Sequence, residues 1–343
     1  MRCLLILDRN DYKIHEEQYK KTVETRYSEC EIMYTKYEDR TIRKVRNWPL
    51  FGNVLLHLLR WIKSFKYALK AKSQKNINTI ICLNPIVGIM IALLGSKDKE
   101  LIVSGFLFEK KNNRYYYFIR KYITKIALKR ISTVVVYGSS EVSYYEHLFN
   151  LPNKFRFIKY GIDYLNQSSY IGNELPPNYI FTGGGSNRDY KTLINAYNHA
   201  QEENDIPPLV CATQQWRLSG LNLSRCVVLT DVVNETFGDV MKQSKLLILS
   251  LKNTQVSAGH MVMLQAMSLG IPILVNDIPA IRDYVDECYV TFYESGNEEQ
   301  LSKMMASCLN DKTIEKKVAE AKKYYNNNFT SLSLVTRLLG LCE

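Results

Sequence analysis

The chain lacks any apolar run approaching the ~20 residues a membrane-spanning helix requires; its longest stretch, Pro85 to Leu94, ends well short of that. No N-terminal segment combines a charged start, a long apolar run and a small-residue cleavage site. Met1-Arg-Cys-Leu-Leu-Ile-Leu-Asp8 reads instead as a first strand, so a cytoplasmic location is expected. The 8 cysteines include no Cys-x-x-Cys pair and no Cys/His ligand spacing. Cys3, Cys82 and Cys211 stand in apolar, strand-like surroundings, which favours reduced core thiols over a zinc site or a disulfide framework. No paired-Asp metal motif is present, nor any zinc finger, groove-reading helix pair or RNP-type aromatic strand, so neither a metal nor nucleic acid is an expected partner. No internal repeat or low-complexity tract occurs.

What is present is a 343-residue chain, 46% hydrophobic, enough for two cores. Its charge is uneven. Residues 1–165 hold 30 Lys and Arg against 15 Asp and Glu, whereas residues 166–343 hold 15 against 19. The basic residues of the first half gather in Arg40–Arg46, in a helical pattern over Asn53–Lys72 and in another over Arg114–Arg130. In the first pattern Leu55, Leu58, Leu59, Ile62, Phe65 and Leu69 share one face, bordered by Arg60, Lys63, Lys66 and Lys70; in the second, Ile119, Tyr122, Ile123 and Ile126 form the stripe. Two readings are open: outer helices that bury the apolar face and solvate the other, or elements that dock reversibly on an anionic membrane surface at ~1 kcal/mol per basic residue.

Short apolar runs alternating with helical patterns predict two α/β layers in series. Strands are expected at Cys3–Leu7, Glu31–Tyr34, Thr79–Leu83, Leu101–Val103 and Thr133–Val136, then at Tyr179–Thr182, Leu209–Thr213, Cys226–Leu229, Leu246–Leu249 and Ile273–Val275. The polar, proline-containing stretch Asp163–Asn178 marks a boundary. Thr313–Leu341 is helical in pattern.

Two segments carry chemistry. Ser257-Ala-Gly-His-Met-Val-Met-Leu-Gln-Ala-Met-Ser-Leu-Gly-Ile-Pro-Ile-Leu-Val275 reads as small residues opening a helix that runs into a buried strand. Met261, Leu264 and Leu269 are expected to hold the helix on a core, and Gly270 to stop it. Unpaired N–H groups, the positive end of the macrodipole and small side chains suit a phosphate. Ser257 could equally be a plain N-cap, and His260 a surface residue. Upstream, Tyr179-Ile-Phe-Thr-Gly-Gly-Gly185 is a strand ending in glycines, followed by Ser186-Asn-Arg-Asp-Tyr-Lys191 before a helix over Thr192–Ala200. Cations such as Arg188 and Lys191 are disfavoured at a helix N-terminus unless an anion sits there. Gln265, polar among apolar neighbours, is expected to have a partner.

Gly183-Gly-Gly-Ser-Asn-Arg-Asp-Tyr-Lys-Thr-Leu-Ile-Asn-Ala196 and Leu264-Gln-Ala-Met-Ser-Leu-Gly-Ile-Pro-Ile-Leu-Val275 resemble the donor-binding half of GT-B glycosyltransferases, close to the family 4 group. Tyr160-Gly-Ile-Asp163 and Val134-Val-Val-Tyr-Gly-Ser-Ser-Glu141 add to the likeness, which is specific over residues 134–285. The resemblance implies an α/β protein with two Rossmann-like domains facing a cleft. These are an acceptor-binding domain at 1–165, a nucleotide-sugar-binding domain at 166–325, and a helix at 326–343 crossing back to the first. It further implies diphosphate binding by Gly184, Gly185, Arg188, Lys191, Ser257, Ala258, Gly259 and His260, ribose binding by Gln265, and base binding near Asp231 and Val232.

The chain departs from the family where a Glu-x7-Glu pair becomes Ser257-x7-Gln265. Gln265 can still hydrogen-bond a ribose diol, but a carboxylate beside the transferred sugar is gone. Asp8-Arg-Asn-Asp-Tyr12 replaces the usual glycine-rich turn after the first strand. Glu109 lies where such enzymes often place a catalytic group and is a candidate general base. The expected activity is metal-independent, cofactor-free transfer from a nucleotide-diphosphate sugar, retaining by family likeness, to a glycan or lipid-linked acceptor in surface or exopolysaccharide synthesis. It would take place in the cytoplasm or on the inner face of the plasma membrane. The alternatives are a sugar-nucleotide epimerase of the same fold and a non-catalytic partner subunit.

Overall fold

The structure, a computed structural model, describes all residues except 9–14, 36–51, 96–97, 109–113, 165–174, 233 and 343. Contacts divide the chain into two units, Met1–Asp163 with Ser331–Glu343, and Tyr164–Thr330.

The first unit is built on a six-stranded parallel sheet in the order β2-β1-β3-β4-β5-β6. Its strands are β1 (Arg2–Leu7), β2 (Glu29–Tyr34), β3 (Thr79–Cys82), β4 (Glu100–Ser104), β5 (Thr133–Val136) and β6 (Phe155–Phe157). The helices are α1 (Glu16–Glu24), α2 (Gly52–Ser73), α3 (Pro85–Leu94), α4 (Arg114–Leu128) and α5 (Ser139–Phe149). The central strands are buried at nearly every position, as parallel strands covered on both faces must be. Asn84 starts α3 by accepting from the Ile86 and Val87 amides, with Pro85 fixing the first helical φ.

The last helix, α12 (Ser331–Leu339), belongs to this unit and packs on α1. It buries Leu334, Val335, Leu338 and Leu339. Tyr19 Oη meets Ser331 Oγ at 2.5 Å, and Arg26 donates to the carbonyls of Leu339 and Cys342. At roughly 1.5–3 kcal/mol per fully buried aliphatic side chain, the four apolar contacts outweigh the three polar ones. The helical pattern over Thr313–Leu341 is thus two helices, α11 (Ile314–Asn328) and α12, interrupted at Phe329–Thr330.

The second unit has a parallel sheet in the order β12-β11-β10-β7-β8-β9. Its strands are β7 (Ile180–Gly183), β8 (Leu209–Ala212), β9 (Cys226–Leu229), β10 (Leu246–Leu249), β11 (Ile273–Asp277) and β12 (Thr291–Glu294). Its remaining helices are α6 (Tyr190–Glu203), α7 (Asn234–Lys242), α8 (His260–Leu269), α9 (Pro279–Arg282) and α10 (Glu298–Asn310). The chain runs outward from β7 through β8 to β9, then returns to the other side of β7 and proceeds through β10 to β12. The direction therefore reverses between β7 and β10. At such a switch point the loops leaving adjacent strand ends diverge and open a crevice.

All eight cysteines are free thiols. Among the described residues no helix is long and apolar enough to cross a membrane. The amphipathic expectation for α2 needs a correction. The residues that face the core are small, Ser64, Ala68 and Ala71, with Leu56, while Leu58, Ile62, Phe65 and Leu69 are exposed. Close approach to α3 explains this, since small side chains let helix backbones pack tightly. In α4 the buried residues are Thr124, Ala127 and Leu128, leaving Tyr115, Phe118, Ile119, Tyr122 and Ile123 exposed, Tyr115 at 84%. Most of both apolar stripes thus lies in solvent beside Lys63, Lys66, Lys70, Lys121 and Lys125, with Leu55, Leu59 and Ile126 half-buried.

Candidate functional site

The crevice of the second unit is bordered by the turn after β7 and the loop after β10. Gly184 follows β7 at φ 103°, open to glycine and strained for other residues. Its N–H continues the ladder to Ala212 O at 3.1 Å. Its carbonyl accepts from Tyr190 Oη at 2.7 Å and Thr213 Oγ1 at 3.0 Å, which locks the turn. Among the described residues nothing accepts from the N–H groups of Gly185 and Ser186.

Arg188 is 8% exposed. Its Nε donates to Gly183 O at 2.8 Å and its Nη1 to Ser186 O at 2.9 Å, so the guanidinium folds back under the turn. Burial pulls its pKa down, and the nearby Arg217 charge adds to that. Neither arginine forms an ion pair with a carboxylate among the described residues. Lys191 stands exposed on the first turn of α6. The N-terminus of that helix is capped by Asp189, whose carboxylate accepts from the Thr192 amide and hydroxyl. The cap supplies negative charge of its own, which weakens the electrostatic argument for an anion at Lys191.

The loop after β10 is tied to this turn. Lys252 N–H donates to Asn187 O at 2.8 Å, Asp189 N–H donates to Ser250 O at 2.9 Å, and Asn187 Nδ2 reaches Thr254 Oγ1 at 2.9 Å and Val256 O at 3.2 Å. Asn276 accepts from Leu251 N–H and donates to Leu251 O, holding the loop's base. The residues expected at the diphosphate, Gly184, Gly185 and Arg188 on one side and Ser257, Ala258, Gly259 and His260 on the other, therefore sit on two hydrogen-bonded loops.

Two expectations change here. The N-cap of α8 is Gly259 at φ 87°, not Ser257, and no side chain caps the helix. A Cβ on Gly259 would lie 2.6 Å from Leu251 Cδ1, so any other residue there would push that side chain aside in addition to straining the backbone. His260 is not a surface residue: it is 9% exposed and stacks on Tyr284 with ring centroids 5.4 Å apart. Burial, reinforced by the Arg188 charge, lowers its pKa to about 4, so it is neutral at pH 7. Along α8 it is Met263, Leu264, Ala266 and Met267 that are buried, whereas Met261 is exposed. Gln265 is half-buried, and among the described residues its side-chain amide has no partner.

Asp231 and Val232 follow β9 at the same end of the sheet, the first exposed and the second half-buried. Glu109 and the whole basic stretch Arg40–Arg46 lie outside the described residues. Sequence reasoning missed Arg217, in the short 3₁₀ turn Gln215–Leu218 after β8. Among the described residues no group of three His, Cys, Asp or Glu side chains gathers as a metal site would require.

Residues 176–311, inside the second unit, match the family described as Glycosyl transferases group 1. No curated protein sequence matches the chain. Among solved structures it is similar over 99% of its length to 98% of HepE of Anabaena, in complex with UDP and glucose, at 12% identity and a TM-score of 0.62. It is similar over 99% to 97% of the sucrose-phosphate synthase of Thermosynechococcus elongatus, at 12% identity and a TM-score of 0.61. A chain assigned as a UDP-N-acetylglucosamine 2-epimerase of Listeria monocytogenes matches over 98% and 94% of the two lengths, at 12% identity and a TM-score of 0.52. The chain has the GT-B fold: α/β, with two parallel six-stranded sheets.

Proposed function

We propose that this protein is a glycosyltransferase that moves a sugar from a nucleotide-diphosphate sugar to a glycan or lipid-linked saccharide. The observation that carries the reading is the pair of loops at the switch point of the second sheet. There a buried arginine lacking a carboxylate, two unpaired N–H groups and the side-chain-free N-terminus of α8 converge. The match over residues 176–311 supports it, and so do the printed contents of the HepE complex.

Cleaving a sugar–phosphate bond builds negative charge on the departing diphosphate, and donors already in place lower that barrier without reorganising. Arg188, the Gly185 and Ser186 amides and the α8 terminus supply such groups, with Lys191 at the rim. Positive charge is thus available from the chain itself, and the proposal includes no metal and no cofactor. Gln265 would hold the ribose, and the segment at Asp231 and Val232 the base. Retention of the anomeric configuration belongs to the proposal through the family likeness. An inverting course would instead need a base such as Glu109.

The exposed apolar and basic faces of α2 and α4 extend the reading to an anionic membrane face and a lipid-carried acceptor in surface polysaccharide synthesis. Aromatic and aliphatic residues beside lysines match a leaflet with an anionic surface and an apolar interior.

Incubation with UDP-, GDP- and dTDP-sugars and lipid-linked acceptors, with anomeric analysis of the product, tests the whole. Transfer to acceptor supports it, whereas conversion of a free nucleotide sugar to its epimer would identify the alternative activity. Absence of nucleotide binding would point to a non-catalytic subunit.

A further inference from the structure

We propose that Arg217 is a second ligand for the donor's diphosphate, sharing it with Arg188 across the Gly184–Gly185 turn. This inference rests on the donor-site reading above.

The sheet order makes it possible. β8 lies beside β7 on the side away from β10, so the turn after β8 brings a side chain to the glycine turn from the direction opposite to α8. Within the turn Leu218 is buried and fixes the backbone, while Trp216 and Arg217 stay accessible. The Arg217 guanidinium carbon sits 4.3 Å from the centre of the Trp216 ring. Trp216 Nε1 in turn donates to Gln214 Oε1 at 2.8 Å. A flexible cation is thereby oriented before any ligand arrives, which reduces the ordering cost of binding.

Its reach can be measured on the glycines. A Cβ on Gly185 would stand 3.0 Å from Arg217 Nη2 and 3.3 Å from its Cζ, and a Cβ on Gly184 would stand 2.6 Å from Arg188 Nη2. Two guanidiniums thus face adjacent residues of one turn, close enough for the Arg217 charge to depress the pKa of Arg188. Like charges held together without a carboxylate cost free energy in the unliganded protein, and a group carrying two negative charges removes that cost. The N–H groups of Gly185 and Ser186 lie in the same turn. A diphosphate has oxygens enough for both guanidiniums, each able to make bidentate contacts. Arg217 is assigned the β-phosphate, which a nucleoside monophosphate lacks, so Arg217 should discriminate diphosphates from monophosphates.

The test is calorimetric titration of the full chain with UDP, GDP and dTDP, then with the monophosphate of whichever diphosphate binds most tightly. Wild type is compared with Arg217→Gln, Arg217→Lys and Trp216→Leu, each checked for an unchanged melting temperature. Arg217→Gln is expected to weaken diphosphate binding by about 10- to 100-fold and monophosphate binding by less than about 3-fold. Arg217→Lys should fall between, lacking the fork, and Trp216→Leu should lose about 3- to 10-fold through a loosened guanidinium. If wild type binds a diphosphate and Arg217→Gln binds it equally well, or loses as much for the monophosphate, the assignment of Arg217 fails while the donor site stands. If wild type binds none of the three diphosphates, the donor-site reading fails and Arg217 with it.

Discussion

His260 should make the stability of the protein pH-dependent in a window that separates it from the carboxylates. In the fold its pKa is about 4, against 6.5 for the unperturbed side chain, because the ring is buried against Tyr284 and faces the charge of Arg188. The folded-state value lies below the unfolded one, so the unfolded chain binds the proton first. The contribution is fully present above pH 6.5 and is lost as pH falls toward 4. Integrating between these values gives a loss of about 2 kcal/mol between pH 7 and pH 5, rising to about 3 kcal/mol at pH 4. Denaturant titrations at half-unit pH steps, with wild type beside His260→Gln, isolate the residue because other groups cancel in the difference. The wild-type advantage should shrink by about 2 kcal/mol from pH 7 to pH 5. A saturating nucleoside diphosphate should reduce that shrinkage by offsetting Arg188. Parallel stability curves for the two proteins across this range would refute the account of a buried, neutral imidazole.

Arg188 and Lys191 should separate into different classes. Arg188→Ala should weaken diphosphate binding and also lower stability by about 2 kcal/mol, as the Gly183 and Ser186 carbonyls lose a charged donor. Lys191→Ala, on an exposed first turn, should weaken binding with no change in denaturation midpoint; equal midpoints for both variants would contradict this. Gln265→Leu should cost nucleoside diphosphates roughly 1–3 kcal/mol in affinity by calorimetry, with Gln265→Glu binding as well as wild type or better, if the amide holds a ribose. Gly259→Ala forces a side chain into φ 87° and against Leu251, and should lower stability by about 1–3 kcal/mol in urea unfolding while weakening diphosphate binding. Binding to anionic vesicles should have two parts. Lys63, Lys66, Lys121 and Lys125 changed to Glu should abolish the salt-sensitive part in co-sedimentation, and Leu58, Ile62 and Tyr122 changed to Ser the part that survives high salt. Wild type that ignores such vesicles at low salt would remove the membrane from the proposal.

The strands of both sheets were legible because a parallel strand covered on both faces must be apolar throughout, and such runs stand out at Leu4–Leu7, Ile80–Cys82 and Leu246–Leu249. The two that escaped, β6 and β12, are edge strands whose patterns are broken by Arg156 and by the exposed Glu294. An edge strand has one neighbour and mixed exposure, so its sequence carries less of a signal. The break between α11 and α12 was hidden for a different reason. Asn326, Asn327 and Asn328 continue a helical pattern without glycine or proline, and only the separate packing of α12 on α1 ends it.

Local pattern could locate the two loops of the candidate site, but not what closes on them. The glycines after β7 and the small residues before α8 announce themselves because each is needed for its own turn. Arg217 has no such mark. Its place at Gly185 follows from β8 being hydrogen-bonded to β7, a pairing between residues nearly thirty positions apart. The same limit applies to α2, whose apolar stripe has the period of a buried face. Periodicity reports that apolar residues share a side; it does not say which side meets the protein. Ser64, Ala68 and Ala71 settle that, because a helix seated against another needs small residues at the contact. The larger side chains of the stripe are thereby left on the outer side of the helix. Leu58, Ile62, Phe65 and Leu69 are turned to water, and it is this face that the proposed docking on an anionic membrane surface would cover.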